Sequence, residues 1–366
     1  MKLLVVGVGD CGCRLAAEFV RLQRKARAER NVNIVAGAYA INNNQASLAE
    51  LAAIEAEFWH PILIGRDYAS SDVSKLNEFG AKLARDERDR IMAAVRATPD
   101  FFETDAFLLI AGAAGGVGSG GISVIAQMLR QRYVGRPVYA VVALPFESEE
   151  LNSECVCNTA ICLKSVYKVA DAVFLVDNEK FKAGDGAPPQ KLGESNRKIV
   201  DIFYDLLCAS GAVDSKYVGT RSLGIGDVIQ TLAGWTAIGV ARAELTSTRF
   251  NFGKSVDFQK KGGGVVKALE AMNAALSALS VDCRLEDAGR VLYLLSAPIR
   301  EASLDMTRVI GNRLSELSRG SDIRGADFPG ERNGVQVSAL ISELAYVEKV
   351  KSYYDRAAAL ISERGK

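Results

Sequence analysis

Over the first 180 residues, short apolar runs alternate with longer stretches whose apolar side chains recur every three to four positions. The runs predict strands at 2–7, 33–41, 61–65, 105–111, 137–144 and 172–177. The stretches between them predict helices near 12–29, 45–57, 75–97, 120–132 and 153–169. Such alternation builds a doubly wound, mostly parallel α/β sheet with helices on both faces. A Gly/Pro-rich linker at Lys182–Pro189 ends this half. Beyond it, Ile199, Ile202, Phe203, Leu206 and Leu207 mark an amphipathic helix at about 195–210. A loop from Val213 to Gly226 leads into another helix, with Asp227 as its expected N-cap. Helices near 263–280 and 302–318 and strands near 289–297, 321–327 and 334–343 then predict a second, smaller α/β domain. The spacing of Val347, Val350, Tyr354, Ala357 and Ile361 makes Ala345–Arg364 a helix packed on the body.

Composition narrows the classes. In 366 residues, 49% are hydrophobic and the formal net charge is +1. No basic excess points to nucleic acid, and no acidic tail is present. The longest apolar runs are strand-sized, so a membrane span is not expected. The N-terminus enters a strand without the pattern of a signal peptide, which predicts a cytoplasmic protein. Seven cysteines, an odd number, fit reduced thiols. The pairs Cys11/Cys13 and Cys155/Cys157 read as small buried residues, because their spacings match no zinc pattern. The single histidine, His60, has no imidazole partner for metal or triad chemistry.

Two glycine-rich turns carry the chemistry. Gly7-Val8-Gly9-Asp10-Cys11-Gly12 follows the first strand, and Gly112 to Gly121 follows Phe107-Leu108-Leu109-Ile110. A glycine-rich approach to a helix N-terminus bares N–H groups at the positive end of a dipole and suits phosphate. Two of them suggest a polyphosphate held from two sides. Close backbone approach to a ligand explains the second cluster, where Ser119 adds a hydroxyl for a phosphate oxygen or a metal-bound water. The first turn also fits a dinucleotide fingerprint, so an NAD-dependent oxidoreductase is an alternative. Against it, the second strand ends Ala40-Ile41-Asn42-Asn43-Asn44, with no acid for a ribose.

Residues 114–120, Ala-Gly-Gly-Val-Gly-Ser-Gly, resemble the phosphate loop of the tubulin and FtsZ superfamily of GTPases. Other segments follow in the family's order. Gly9 to Arg14 is similar to the first nucleotide loop, and Ile41 to Leu48 to a segment of FtsZ that includes Asn42 and Asn44. Pro145-Phe146-Glu147-Ser148-Glu149 parallels the sugar-contacting loop, and Asp177 to Lys180 a further loop. Ile323-Arg324-Gly325-Ala326-Asp327-Phe328-Pro329 resembles a segment of the CetZ branch, the archaeal tubulin-like proteins of cell-shape control.

The resemblance implies GTP or GDP as ligand, assisted by Mg²⁺ without a protein metal cluster. It surrounds the phosphates with Gly9, Asp10, Cys11, Gly12, Cys13, Arg14, Gly115, Gly116, Val117, Gly118, Ser119 and Gly120. It gives the ribose to Glu149, with Ser153 where FtsZ has an arginine, and the guanine to Asn178 and Asn196. It implies a nucleotide-binding domain at 1–190, a central helix and catalytic loop at 191–227, and a C-terminal domain at 228–366. Head-to-tail filaments would bring Asp227 to the neighbouring copy's nucleotide, and other cytoskeletal proteins are expected partners. Departures are Ala114, Val117, Gly224 and a third loop, Ser70 to Glu78, without glycine and with Asp72 near the γ-phosphate. They keep a second alternative open: a nucleotide-binding regulator of the same fold that does not hydrolyse.

Overall fold

The computed structural model describes residues 1–51, 58–65, 76–182, 189–211, 219, 221–244, 256–298, 302–330 and 334–364. Most of the third loop, the linker core and residues 212–218 lie outside the described residues. The chain forms two compact units, Met1–Asp201 with Tyr346–Lys366, and Ile202–Ala345.

In the first unit, strands β1 (Leu3–Val8), β2 (Val35–Asn42), β3 (Trp59–Leu63), β4 (Ala106–Gly112), β5 (Val138–Leu144) and β6 (Ala172–Asp177) pair in the order β3-β2-β1-β4-β5-β6. Every pair is parallel. β1 and β5 are buried along their whole length, as strands covered on both faces must be. Helices α1 (Gly9–Arg30), α2 (Gln45–Glu50), α3 (Asn77–Asp86), α4 (Arg88–Arg96), α5 (Gly116–Arg132), α6 (Ser153–Tyr167) and α7 (Pro189–Asp201) complete the alternation. The helix expected at 75–97 is two helices, α3 and α4. The break falls in the fully charged run Arg85–Arg90, where no apolar side chain anchors a turn.

The second unit holds α8 (Tyr204–Ser210), α9 (Ile225–Thr231), β7 (Gly234–Ala243), α10 (Val256–Ser277), β8 (Ala288–Ala297), α11 (Leu304–Leu317), β9 (Asp322–Pro329) and β10 (Val335–Leu344). Its strands run β7-β10-β8-β9, with β10 antiparallel to both neighbours and β8 parallel to β9. Further differences from the sequence expectations follow the chain. The helix expected at 195–210 is α7 and α8, separated by a turn at Ile202–Phe203. Strand β7, for which no strand is expected from the sequence, begins only two residues, Leu232 and Ala233, beyond α9. Asp227 is not the N-cap: Gly224 is, and Asp227 is the third helical residue, whose carboxylate accepts from the Gly224 N–H at 3.0 Å. The last helix, α12 (Glu348–Arg364), falls in the first compact unit. No described helix is long and apolar enough to cross a membrane.

Candidate functional site

β1 and β4 are far apart in sequence yet adjacent in the sheet, with Gly7 opposite Ile110 and Val8 opposite Ala111. The chain runs from β1 outward to β3, then returns to β4 on the other side of β1. That reversal is the topological switch point of the sheet, where open α/β sheets hold ligands. A cavity of about 690 Å³ opens there, a size that suits a nucleotide-sized molecule.

The two helices that follow the glycine turns at this cavity lack a capping side chain. α1 starts after Val8 and α5 after Gly115, whereas Asn44, Asn152 and Ser303 cap α2, α6 and α11. Their first-turn N–H groups therefore remain available to a ligand. Gly9 has φ +71°, and a Cβ there would stand 2.9 Å from the Gly118 amide nitrogen. The two turns meet backbone against backbone, which only glycine permits.

Of the residues expected to touch nucleotide, Gly9, Asp10, Cys11, Arg14, Asn42, Asn44, Gly115, Gly116, Val117, Gly118, Glu149, Asn178 and Asn196 line the cavity. Gly12, Cys13, Ser119, Gly120 and Ser153 do not. Gly12 lets α1 press on β4, where a Cβ would collide with the Ile110 carbonyl, and Gly120 likewise admits the Asn77 carbonyl of α3. Cys13 is buried, its sulfur 3.6 Å from the carbonyls of Gly7 and Ile41. The Ser119 hydroxyl is also buried and accepts from Asn77 Nδ2 at 2.9 Å. Ser153 opens α6. Much of the glycine cluster thus serves helix packing, and ligand approach accounts for less of it than the sequence suggested.

The polar walls are already organised. Asn42 Nδ2 donates to Asp10 Oδ1 at 2.7 Å, joining the first turn to the end of β2. Asn44 spends its side-chain oxygen on the Ala46 and Ser47 amides. Glu149 accepts from the Phe146 N–H at 2.9 Å, and the Glu147 N–H donates to Glu179 at 2.9 Å, tying the two loops together. Sequence reasoning missed Asn158 of α6, which also lines the cavity. Its Nδ2 donates to the Ala114 carbonyl at 2.9 Å and its Oδ1 accepts from the Asn77 N–H at 3.2 Å. The available signal was an asparagine on an otherwise apolar helical face.

Among the described residues, Asp10, Glu149 and Glu154 share this lining with one cationic side chain, Arg14, itself 3.2 Å from Glu50. An anionic ligand would therefore depend on the bare amides and a bridging cation. Burial, reinforced by Glu149, pushes the Cys11 thiol up to about 12, so it stays protonated at neutral pH. All seven cysteines are free, and among the described residues no group of three or more His, Cys, Asp or Glu could hold a metal ion.

In the second unit, the Asp227 carboxylate is half-exposed, 3.3 Å from Arg324.

Residues 2–184 match the model of the tubulin/FtsZ family GTPase domain. The chain belongs to the tubulin/FtsZ family. Residues 190–359 match the C-terminal domain of tubulin-like CetZ. The tubulin-like protein CetZ1 of Haloferax volcanii is 28% identical over 344 residues, covering 90% of this chain and 84% of that protein. A structure of a GTPγS-bound protofilament of CetZ2 from the same organism superposes with TM-score 0.84 at 26% identity, covering all of both chains. A GDP-bound CetZ1 monomer superposes with TM-score 0.81 at 26% identity, covering 98% of this chain and 99% of that one. The NAD-dependent reading gives way to this family.

Proposed function

We propose that this chain is a GTP-binding cytoskeletal protein of the CetZ type, which assembles head to tail and serves cell shape or organisation. The observation that carries the reading is the meeting of two uncapped helix N-termini at one nucleotide-sized cavity at the β1–β4 switch point. The amides of Gly9 to Cys11 and Gly115 to Gly118 would hold the phosphates, with Arg14 beside them. Glu149 would hold the ribose. Asn178 and Asn196 would read the guanine edge, because an amide offers a donor and an acceptor together. Mg²⁺ fits only as an ion carried with the nucleotide, ligated by phosphate oxygens, water and at most a carboxylate such as Asp10.

In an assembled pair, the half-exposed Asp227 of one copy would orient and polarise the water that attacks the other copy's γ-phosphate. Positioning and charge stabilisation supply most of what phosphoryl transfer requires. Val117, which brings no hydroxyl, and Gly224, which brings no second acid, favour slow turnover and keep a non-hydrolysing regulator as the second reading.

Mass analysis of nucleotide carried through purification tests binding: bound GDP or GTP is expected, and empty protein counts for neither. Sedimentation in GTP against GDP tests assembly, with nucleotide-dependent pelleting expected. Pelleting without turnover would select the second reading.

A further inference from the structure

The described segment that leads into α9, and the first turn of α9 with Asp227, are held by one strand, β9. Ahead of the helix, the Arg221 N–H donates to Asp327 Oδ1 at 2.5 Å, and the Asp327 N–H donates back to the Arg221 carbonyl at 3.0 Å. In the first turn of α9, Arg324 Nη1 lies 3.3 Å from Asp227 Oδ1. The same guanidinium donates to Gln230 Oε1 at 2.5 Å, and its Nε and Nη2 each reach Asp322 Oδ2 at 3.2 Å. Gly325 between them leaves room for the Tyr293 ring, which a Cβ would strike, and the Tyr293 hydroxyl donates to the Thr307 carbonyl at 2.7 Å. The strand is thus seated on the core while its polar side chains grip that segment.

Stability does not explain this arrangement. Arg324 and Asp227 are 28% and 45% exposed, and an ion pair so open to water adds little to folding. What the contacts do accomplish is orientation. Gly224 N–H holds Asp227 Oδ2, Arg324 holds Oδ1, and Asp322 and Gln230 hold the guanidinium fork. A carboxylate has about four acceptor sites, so one contact to each oxygen leaves acceptor capacity for a water on this half-exposed side chain.

We propose that Arg324 is a positioning residue for Asp227: the acid is aimed before a second copy of the chain arrives. The inference rests on the reading of Asp227 as the hydrolytic acid. Preorganising a group that acts only across an interface avoids reorganisation at the moment of reaction.

The test measures GTP turnover by the full chain under assembling conditions for Asp227→Asn, Arg324→Ala, Arg324→Lys and the Asp227→Asn/Arg324→Ala double variant. Nucleotide affinity and pelleting are followed in parallel. Arg324→Ala is expected to lower turnover about tenfold or more while affinity and pelleting hold, since a small misplacement of a reacting group costs that much. The double variant should be no slower than Asp227→Asn alone, because Arg324 acts through that side chain. A further drop in the double variant would overturn the inference. If Arg324→Ala fails to assemble, Arg324→Lys replaces it, keeping the charge and losing the fork; parental turnover there also overturns it. Parental turnover in Asp227→Asn would instead remove the acid's role. Slow Asp227→Asn beside a fully active Arg324→Ala would sink the positioning role alone.

Discussion

Gly115 and Gly120 belong to one loop and answer to different forces. A Cβ on Gly115 meets nothing within 4 Å, and the residue lines the cavity, so Gly115→Ala is expected to fold normally and bind nucleotide more weakly. A Cβ on Gly120 would strike the Asn77 carbonyl, so Gly120→Ala should lose about 1–3 kcal/mol of stability through overpacking. Denaturant titration alongside nucleotide binding separates the two. Asp227→Asn should slow hydrolysis by about a hundredfold, the scale of a lost general base, and leave nucleotide affinity nearly unchanged. His60 offers a pH test. It stacks on Tyr39 at 5.0 Å between ring centres, its Nε2 is buried with no hydrogen-bond partner, and burial lowers its pKa from 6.5. The unfolded chain therefore takes up that proton first. His60 contributes stability above about pH 6.5 that is lost as the pH falls through the unfolded value toward the lower folded one. Denaturation midpoints at pH 7.5 and 5.5 should differ more for the parent than for His60→Gln.

At the level of elements, α12 clasps the turn that adjoins the cavity. The Tyr353 hydroxyl donates to Glu150 Oε1 at 2.5 Å, and Arg356 reaches both the Glu150 carboxylate and its carbonyl. Lys349 adds an ion pair with Asp177 at 2.7 Å, at the end of β6. Glu149, next to this anchor, lines the cavity, so the last helix steadies the wall that would meet the ribose. Glu150→Ala leaves the buried Tyr353 hydroxyl without that acceptor and should cost about 1–3 kcal/mol. Release of a labelled nucleotide should also quicken; an unchanged rate would separate α12 from the cavity.

For the whole molecule, the proposed acid in one copy and nucleotide in another would make hydrolysis a property of the assembly. Turnover per subunit should climb with protein concentration and level off once filaments form. Constant turnover from dilute to concentrated protein would show that each chain hydrolyses alone. The chain divides after Asp201, and α12 groups with the first compact unit.

By itself, the amino-acid pattern determined the alternation of strands and helices, because apolar periodicity records which faces are buried. It also marked both glycine turns, since few residues tolerate left-handed φ or backbone contact. Position along the chain was blind to long-range pairing. Only the tertiary structure brought β1 beside β4, assigned Gly12, Ser119 and Gly120 to packing, enlisted Asn158, and seated Arg324 against Asp227. Those outcomes depend on which surfaces meet in space, and a local sequence window carries no record of that.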